Sequence, residues 1–158
     1  MTMQSGEGKK GLIVSAIANG TVLDHLPPGS AIKIAEMLGL LKGSIVIIGQ
    51  NLKSTKYGKK DVLKVEDRFL TEEECNKIAL VAPAATVNII RNSIMQEKRN
   101  VKVPDVVEEV ALCANANCIT NKEKVPSKLH TISRSPMVLS CHYCGFEVRG
   151  EELKLKIK

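Results

Sequence analysis

Cys113-Ala-Asn-Ala-Asn-Cys118 and, after twenty-two further residues, Cys141-His-Tyr-Cys144 set the reading of this chain. Two close cysteine pairs separated by a loop-length gap have the spacing of a four-thiolate knuckle pair around one metal ion. Tetrahedral Zn²⁺ with all four positions filled by protein is a closed, structural site, because no position remains for water or substrate. The gap holds Pro126, Pro136 and many polar residues, with little helical periodicity. Its apolar core is too small to order it, so the metal must supply much of the folding free energy, about 10–16 kcal/mol in small zinc peptides. Iron in the same cage, disulfides, a redox Cys141-x-x-Cys144 and buried thiols are the competing readings. Disulfides need an oxidising compartment, and the polar stretch Met1–Lys10 has no apolar signal region. A redox pair would leave Cys113 and Cys118 unexplained. One structural Zn²⁺ per chain is therefore the reading adopted. His142 lies between two ligands and His130 lies in the gap; neither is needed as a ligand, and both are expected at the surface.

Upstream of this module the composition is that of a globular protein, 44% apolar and 25% charged over 158 residues. That length suits one domain or two small ones. Aromatic content of 3% with no Trp means the core must be built from Ile, Val, Leu and Ala. No apolar run approaches the length of a membrane span, and a cytoplasmic location is expected. The net charge of +6 points to an anionic partner without naming it. Cys75, in an expected helix, reads as a small buried hydrophobe.

Along the chain, residues 1–10 read as a disordered tail. Gly11–Ala18 reads as a strand, Asn19-Gly20 as a turn, and Thr21–Leu26 as further extended chain. Pro27-Pro28-Gly29-Ser30 breaks it and offers Ser30 as a helix N-cap. Ile32, Ala35, Met37 and Leu38 follow at helical spacing, closed by Gly39 or Gly43. Ile45–Ile48 is a short strand, Lys53–Lys60 a basic turn and Asp61–Glu66 another strand. Thr71-Glu-Glu-Glu74 is a capping box, and the helix it opens passes through Cys75, Ile78, Ala79 and Ala82 to end at Pro83. Ala85–Met95 is a final β-rich run. This order gives an α+β, ferredoxin-like βαββαβ sandwich, with a four-stranded antiparallel sheet and both helices on one face. Lys98–Pro104 looks like a linker. In the module after it, short strands are expected at Val106–Leu112, Met137–Ser140 and Phe146–Arg149. The domains are then 11–99, a linker at 100–104 and an all-β metal domain at 105–158.

Side chains alternate faces along a strand. Lys60, Val62 and Lys64 share one face, and Leu63 and Val65 share the other with Asp61. Thr86, Asn88 and Ile90 share a face of the last strand, with Lys98 just beyond, and Asp24 and His25 project beside the turn. The face without helices could hold a nucleotide, its lysines meeting phosphate and Asp24 accepting from ribose hydroxyls. Paired lysines on a strand are equally a device for solubility and edge protection, and Asp-His before Pro-Pro is equally a turn former. Sheet-face readers of nucleic acid stack bases on aromatics. Tyr57 and Phe69 are the only aromatics here, and neither is expected on that face. No Walker-type loop, nucleophile elbow or His-Glu-x-x-His is present. The residues describe a binding or interaction protein with structural zinc. A zinc-ribbon nucleic-acid or scaffold protein is the rival reading, and a thiol oxidoreductase a third.

Four segments carry a resemblance: Gly20-Thr-Val-Leu-Asp-His25-Leu-Pro27, Gly58-Lys-Lys60-Asp-Val-Leu-Lys64-Val-Glu66, Ala82-Pro-Ala-Ala-Thr-Val-Asn88, and the two cysteine pairs. Together, from about Val14 to Val148, they resemble the regulatory chain of aspartate carbamoyltransferase. The resemblance implies a non-catalytic subunit in the control of pyrimidine biosynthesis, which binds ATP, CTP and UTP on its first domain. Its partners would be catalytic chains, six with six regulatory chains, and a second regulatory chain; neither nucleic acid nor a membrane is expected. It also implies a nucleotide site at Val14, Ala16, Ile17, Val22, Asp24, His25, Lys60, Val62, Lys64, Asn88, Ile90 and Lys98. Asp24 and Lys64 would lie near the ribose, Lys60 near base and ribose, and Lys98 with His25 near the phosphates. Val14, Ala16 and Ile17 would touch the base. The zinc ligands would be Cys113, Cys118, Cys141 and Cys144. Where family members carry an acidic residue and an aromatic one, this chain has Ser15 and Ser93.

Overall fold

The run Gly20–Leu26 forms β1, the central strand of a five-stranded sheet ordered β2-β3-β1-β4-β5. A computed structural model describes residues 16–156. In chain order, β1 is followed by α1 (Ser30–Met37), β2 (Val46–Ser54), β3 (Gly58–Glu66), α2 (Glu72–Ala79), β4 (Thr86–Arg91) and β5 (Ile94–Asn100). Every pairing in the sheet is antiparallel. Alternation sends Leu23, Leu63, Val65 and Val87 to one face, where each is fully buried with Ile34 and Ala35 of α1 and Ile78 and Ala79 of α2. Burial of each such side chain is worth about 1.5–3 kcal/mol. Cys75 is part of this core as a free, buried thiol.

Several expected boundaries move. The tail 1–10 and the first five residues of the expected strand Gly11–Ala18, Val14 and Ser15 among them, lie outside the described residues. Ala16–Asn19 is not strand. Its polar groups serve neighbouring turns instead: Ser93 N–H donates to Ala18 O at 2.8 Å and Asp67 N–H to Asn19 O at 2.9 Å. Ala85–Met95 is not one strand. Asn92 and Ser93 adopt positive φ (52° and 64°), which suits a two-residue hairpin turn, and the chain doubles back as β5. The sheet therefore has five strands rather than four, and Lys98–Asn100 belongs to β5 rather than to a linker. The stretch that follows is packed, not slack: Val101 and Val103 are buried. The basic turn shrinks to three residues between β2 and β3, and α2 stops at Ala79, short of Pro83.

The helix starts show why local signals succeed or fail. Thr71 forms the expected capping box, with Glu74 N–H donating to Thr71 Oγ1 at 3.1 Å and Thr71 N–H to Glu74 Oε1 at 3.2 Å. Ser30 does not cap α1; it is the first helical residue and its hydroxyl donates to Pro27 O at 2.7 Å. The cap comes from the next layer. Asp61 of β3, fully buried, accepts N–H groups from Gly29 (2.8 Å), Ala31 (3.2 Å) and Asn51 (3.0 Å).

The C-terminal module contains β6 (Val106–Glu108), β7 (Ala111–Leu112), the one-turn helix α3 (Ile119–Lys122), β8 (Lys128–Arg134), β9 (Met137–Cys141), β10 (Glu147–Arg149) and, after a 3₁₀ turn, β11 (Lys154–Leu155). β10-β9-β8-β6 form one sheet and β11-β7 a two-stranded pair. The expected strand Val106–Leu112 is thus two strands in different sheets. β8 was not foreseen at all, its Lys-Leu-His-Thr-Ile-Ser-Arg sequence alternating too weakly to stand out from a loop. The connection to the first domain is fastened to β8: Thr131 Oγ1 donates to Pro104 O at 2.6 Å and Arg134 Nε to Val103 O at 3.2 Å. Arg134 also pairs with Asp105.

Candidate metal centre and anion-binding face

The four thiols named by their spacing meet. The Sγ atoms of Cys113, Cys118, Cys141 and Cys144 all lie within 4.8 Å of one another. Cys113–Cys144 are 3.6 Å apart and Cys118–Cys141 3.7 Å. Ligands about 2.3 Å from a tetrahedral zinc stand about 3.8 Å apart, so the separations suit that ion. Two tight turns aim the sulfurs. Cys118 N–H donates to Asn115 O at 3.0 Å, and Gly145 N–H to Cys141 O at 2.9 Å. Thr120 Oγ1 donates to Cys118 Sγ at 3.2 Å, and Asn121 Nδ2 donates to the carbonyls of Cys113 and Asn115, both at 2.8 Å. These polar helpers were not foreseen; their only signal was position, within three residues of a ligand.

The environments of the thiols differ. Burial pushes the Cys113 thiol up to about 12, whereas the Thr120 hydroxyl brings Cys118 down to about 7. For Cys144, burial pushes upward, but N–H donation from Phe146 and the Asn115 side chain outweigh it. Donors aimed at sulfur stabilise thiolate, the form that binds a metal. Four such groups with three of them buried make a structural cage for zinc. His142 is exposed and His130 half-buried, and they contact each other, Nε2 to Nδ1, at 2.8 Å.

On the first domain, the sheet face opposite the helices brings most of the named positions into register. One ladder row runs Ile47–Lys64–Val22–Asn88–Lys98 across all five strands. Lys60 and Val62 follow on the same face of β3. Asp24 reaches Lys60 through a bulge, since β1 carries an extra residue between Leu23, opposite Leu63, and Leu26, opposite Asp61. His25 takes up the irregularity at φ 58°. Its N–H donates to Asp24 Oδ1 at 2.6 Å, and Lys60 Nζ stands 2.9 Å from the same oxygen. Burial alone would raise the Asp24 carboxyl, but the Lys60 hydrogen bond, the His25 N–H and both neighbouring charges leave it below its ordinary 3.8. Burial holds the Lys64 ammonium below its ordinary 10.5, with the Asp24 charge offsetting part of that. Asn88 Oδ1 is buried and has no hydrogen-bond partner among the described residues.

Ile17 is buried, Ala16 exposed, Ile90 half-buried opposite Gly20, and Lys98 exposed. Val14 lies outside the described residues. His25 Nδ1 is 3.1 Å from Thr86 Oγ1, and the ring stands edge-on to Tyr57 at 6.1 Å. Tyr57 is off the sheet face, as expected, but the short β2–β3 turn brings its ring to His25. Phe69 lies elsewhere, under the Arg91 guanidinium at 3.9 Å. No helix among the described residues is long and apolar enough to cross a membrane.

Comparison with known proteins gives the same two-part division. The family model described as aspartate carbamoyltransferase regulatory chain, allosteric domain, matches residues 12–102; that for the metal binding domain of the same chain matches 105–154. The regulatory chain of Pyrococcus horikoshii is 52% identical over 145 residues, 90% of this chain and 95% of its own length. That of Pyrococcus abyssi is 53% identical with the same coverage. The Ignicoccus hospitalis regulatory chain is 46% identical over 149 residues, 91% of this chain and 95% of its own.

Proposed function

This chain belongs to the family of aspartate carbamoyltransferase regulatory chains, and from that premise we propose that it binds the nucleotides ATP, CTP and UTP on the sheet face and passes their effect to catalytic trimers through the zinc domain. The chain is regulatory rather than catalytic, with an allosteric and a metal-binding domain, and its partner is the catalytic chain. The observation that carries the reading is the single row Lys64–Val22–Asn88–Lys98 flanked by the Asp24–Lys60 pair. It sets ammonium groups, an apolar patch, a carboxylate and an orphaned amide oxygen on one surface. Those are the partners that phosphate, base and ribose hydroxyls require.

In this reading Lys98 and His25 take the phosphates, Asp24 and Lys64 the ribose, and Lys60 the base and ribose. Val22, Val62 and Ile90 supply apolar contact, and Val14, Ala16 and Ile17 touch the base. Cys113, Cys118, Cys141 and Cys144 hold one zinc. The assembly is six regulatory with six catalytic chains, the regulatory chains paired, in the cytoplasm. Coupling between effector and catalytic sites is typically about 1–3 kcal/mol and is reciprocal, so active-site ligands change nucleotide affinity by the same factor. The test is to mix zinc-loaded chain with catalytic trimers and measure particle mass and aspartate saturation with and without each nucleotide. A larger particle whose saturation curve shifts with nucleotide is expected. An assembled particle indifferent to all three would overturn the nucleotide reading.

A further inference from the structure

We propose that the cleft between the two domains is a binding site for a small amphipathic carboxylate, an anionic head on an aliphatic body. The cleft has a volume of about 370 Å³, which falls among small-molecule sites of about 300–1,000 Å³. The first domain contributes Lys33 of α1, with Leu80 and Val81, which follow α2. The second contributes Met137 of β9, Arg149 of β10 and Leu153. Both helices pack on the face of the sheet away from the Lys64–Val22–Asn88–Lys98 row, so the cleft is separate from the proposed nucleotide site.

The lining includes apolar surface that the fold leaves uncovered. Leu80 and Leu153 are buried in the core, but Val81, Met137 and Leu155 are only half-buried. Gly150 lets Met137 lie against the 3₁₀ turn, since a Cβ there would overlap Met137 Cε. No aromatic side chain lines the cleft, which suits an aliphatic chain rather than a planar base. Lys33 and Arg149 bring one cation from each domain. Neither side chain makes an ion pair or hydrogen bond among the described residues. Glu151 is the one carboxylate on the lining. Two cations against one carboxylate favour an anion, and a guanidinium can grip a carboxylate through two parallel N–H bonds. A carboxylate shared by Lys33 and Arg149 offsets their mutual repulsion while its chain covers Val81 and Met137. Because the two cations come from different domains, the same ligand ties the domains to each other.

Two methionines make a pair of reporters: Met137 lines the cleft, and Met95, on β5, is exposed outside it. Zinc-loaded full-length chain carrying ¹³C-methyl methionine would be titrated with octanoate, octanol and acetate, followed by calorimetry and methyl NMR. Octanoate should bind one to one and saturate, shifting the Met137 methyl while leaving Met95 in place. Octanol, which lacks the charge, and acetate, which lacks the chain, should each bind at least tenfold more weakly. Lys33→Gln and Arg149→Gln in one chain should weaken octanoate at least tenfold and leave octanol unchanged. The proposal is overturned if octanoate does not saturate, if Met95 moves with Met137, if octanol or acetate binds as tightly as octanoate, or if the double variant binds octanoate as wild type does. Should the double variant fail to fold, the wild-type comparison of octanoate with octanol still decides.

Discussion

Asp61 Oδ2 accepts the backbone N–H of Gly29 at 2.8 Å, joining positions thirty-two residues apart. The same carboxylate caps α1 at Ala31 and fixes the β2 bulge at Asn51. Lys60 and Val62, its neighbours on β3, face the opposite side of the sheet. One buried side chain thus sets both the start of the first helix and the strand that carries Lys60 and Lys64. Asp61→Ala orphans three N–H groups and should destabilise the fold by about 4 kcal/mol. Asp61→Asn, which keeps one acceptor oxygen, should cost less. Denaturant midpoints compare them, and an unchanged midpoint for Asp61→Ala would sink the capping role.

Asp24 makes stability depend on pH. Its folded value lies below the ordinary 3.8, so the stability it adds is fully present above that value. That stability is lost as pH falls through the still lower folded value, because the unfolded chain then binds the proton first. Asp24→Asn should therefore be less stable than wild type by a constant margin at pH 6–8, and the margin should begin to narrow below about pH 4. Urea midpoints across that range measure it; a margin that did not shrink at all as pH fell below about 4 would mean the charge is not responsible.

Lys60→Ala removes a charge-assisted contact from the proposed nucleotide site. Affinity for ATP and CTP should fall by about 1.5–3 kcal/mol, roughly tenfold to more than a hundredfold. It also leaves the Asp24 carboxylate without its ammonium partner beside an incoming polyanion. Calorimetric titration decides the matter, and unaltered affinity would move the site elsewhere.

Gly20→Ala tests the close approach of β1 to β3. A Cβ at Gly20 would stand 2.0 Å from Val65 O, and the residue holds φ 139°, which other residues rarely adopt. The strands must part or the backbone must strain, at a cost of about 3 kcal/mol. That lowers the thermal midpoint by roughly 6–12 °C for a chain of this size. Scanning calorimetry would expose the prediction as wrong if the midpoint stayed within a degree or two.

Cys141→Ser opens the cage. The module's contribution from metal, about 10–16 kcal/mol in small zinc peptides, should largely go. Metal content should drop below one ion per chain, and binding to catalytic trimers should go with it. Sedimentation of a mixture with trimers checks both; a metal-free variant that still assembled would detach the cage from its docking role.

The sequence made legible those features that rest on local chemistry. Cys113, Cys118, Cys141 and Cys144 were readable because thiolate spacing has few other uses. Thr71-x-x-Glu74 was readable because a capping box is complete within four residues. Alternation in Gly58–Glu66 correctly separated Lys60, Val62 and Lys64 from Asp61, Leu63 and Val65. What escaped depends on partners distant in the chain. Alternation put Asp61 on the face of Leu63 and Val65 but gave it no role, and Ser30 looked like a cap until Asp61 took that place. The hairpin at Asn92-Ser93 was hidden because neither residue is glycine, although asparagine tolerates positive φ. Tyr57 stays off the sheet face, as expected, but its contact with His25 was not readable because the β2–β3 turn is narrower than its basic sequence suggests.

β5 carries Lys98 on the open face of the sheet and ends at Asn100; the next anchors, Val101 and Val103, are buried, and Val103 is bonded to Arg134 of β8. Five residues, 101–105, separate the end of β5 from the start of β6. Val101 N–H is held by Ala85 O and Val103 O by Arg134 of β8, both at 3.2 Å, so the stretch between the two halves is a fastened strap rather than a slack tether.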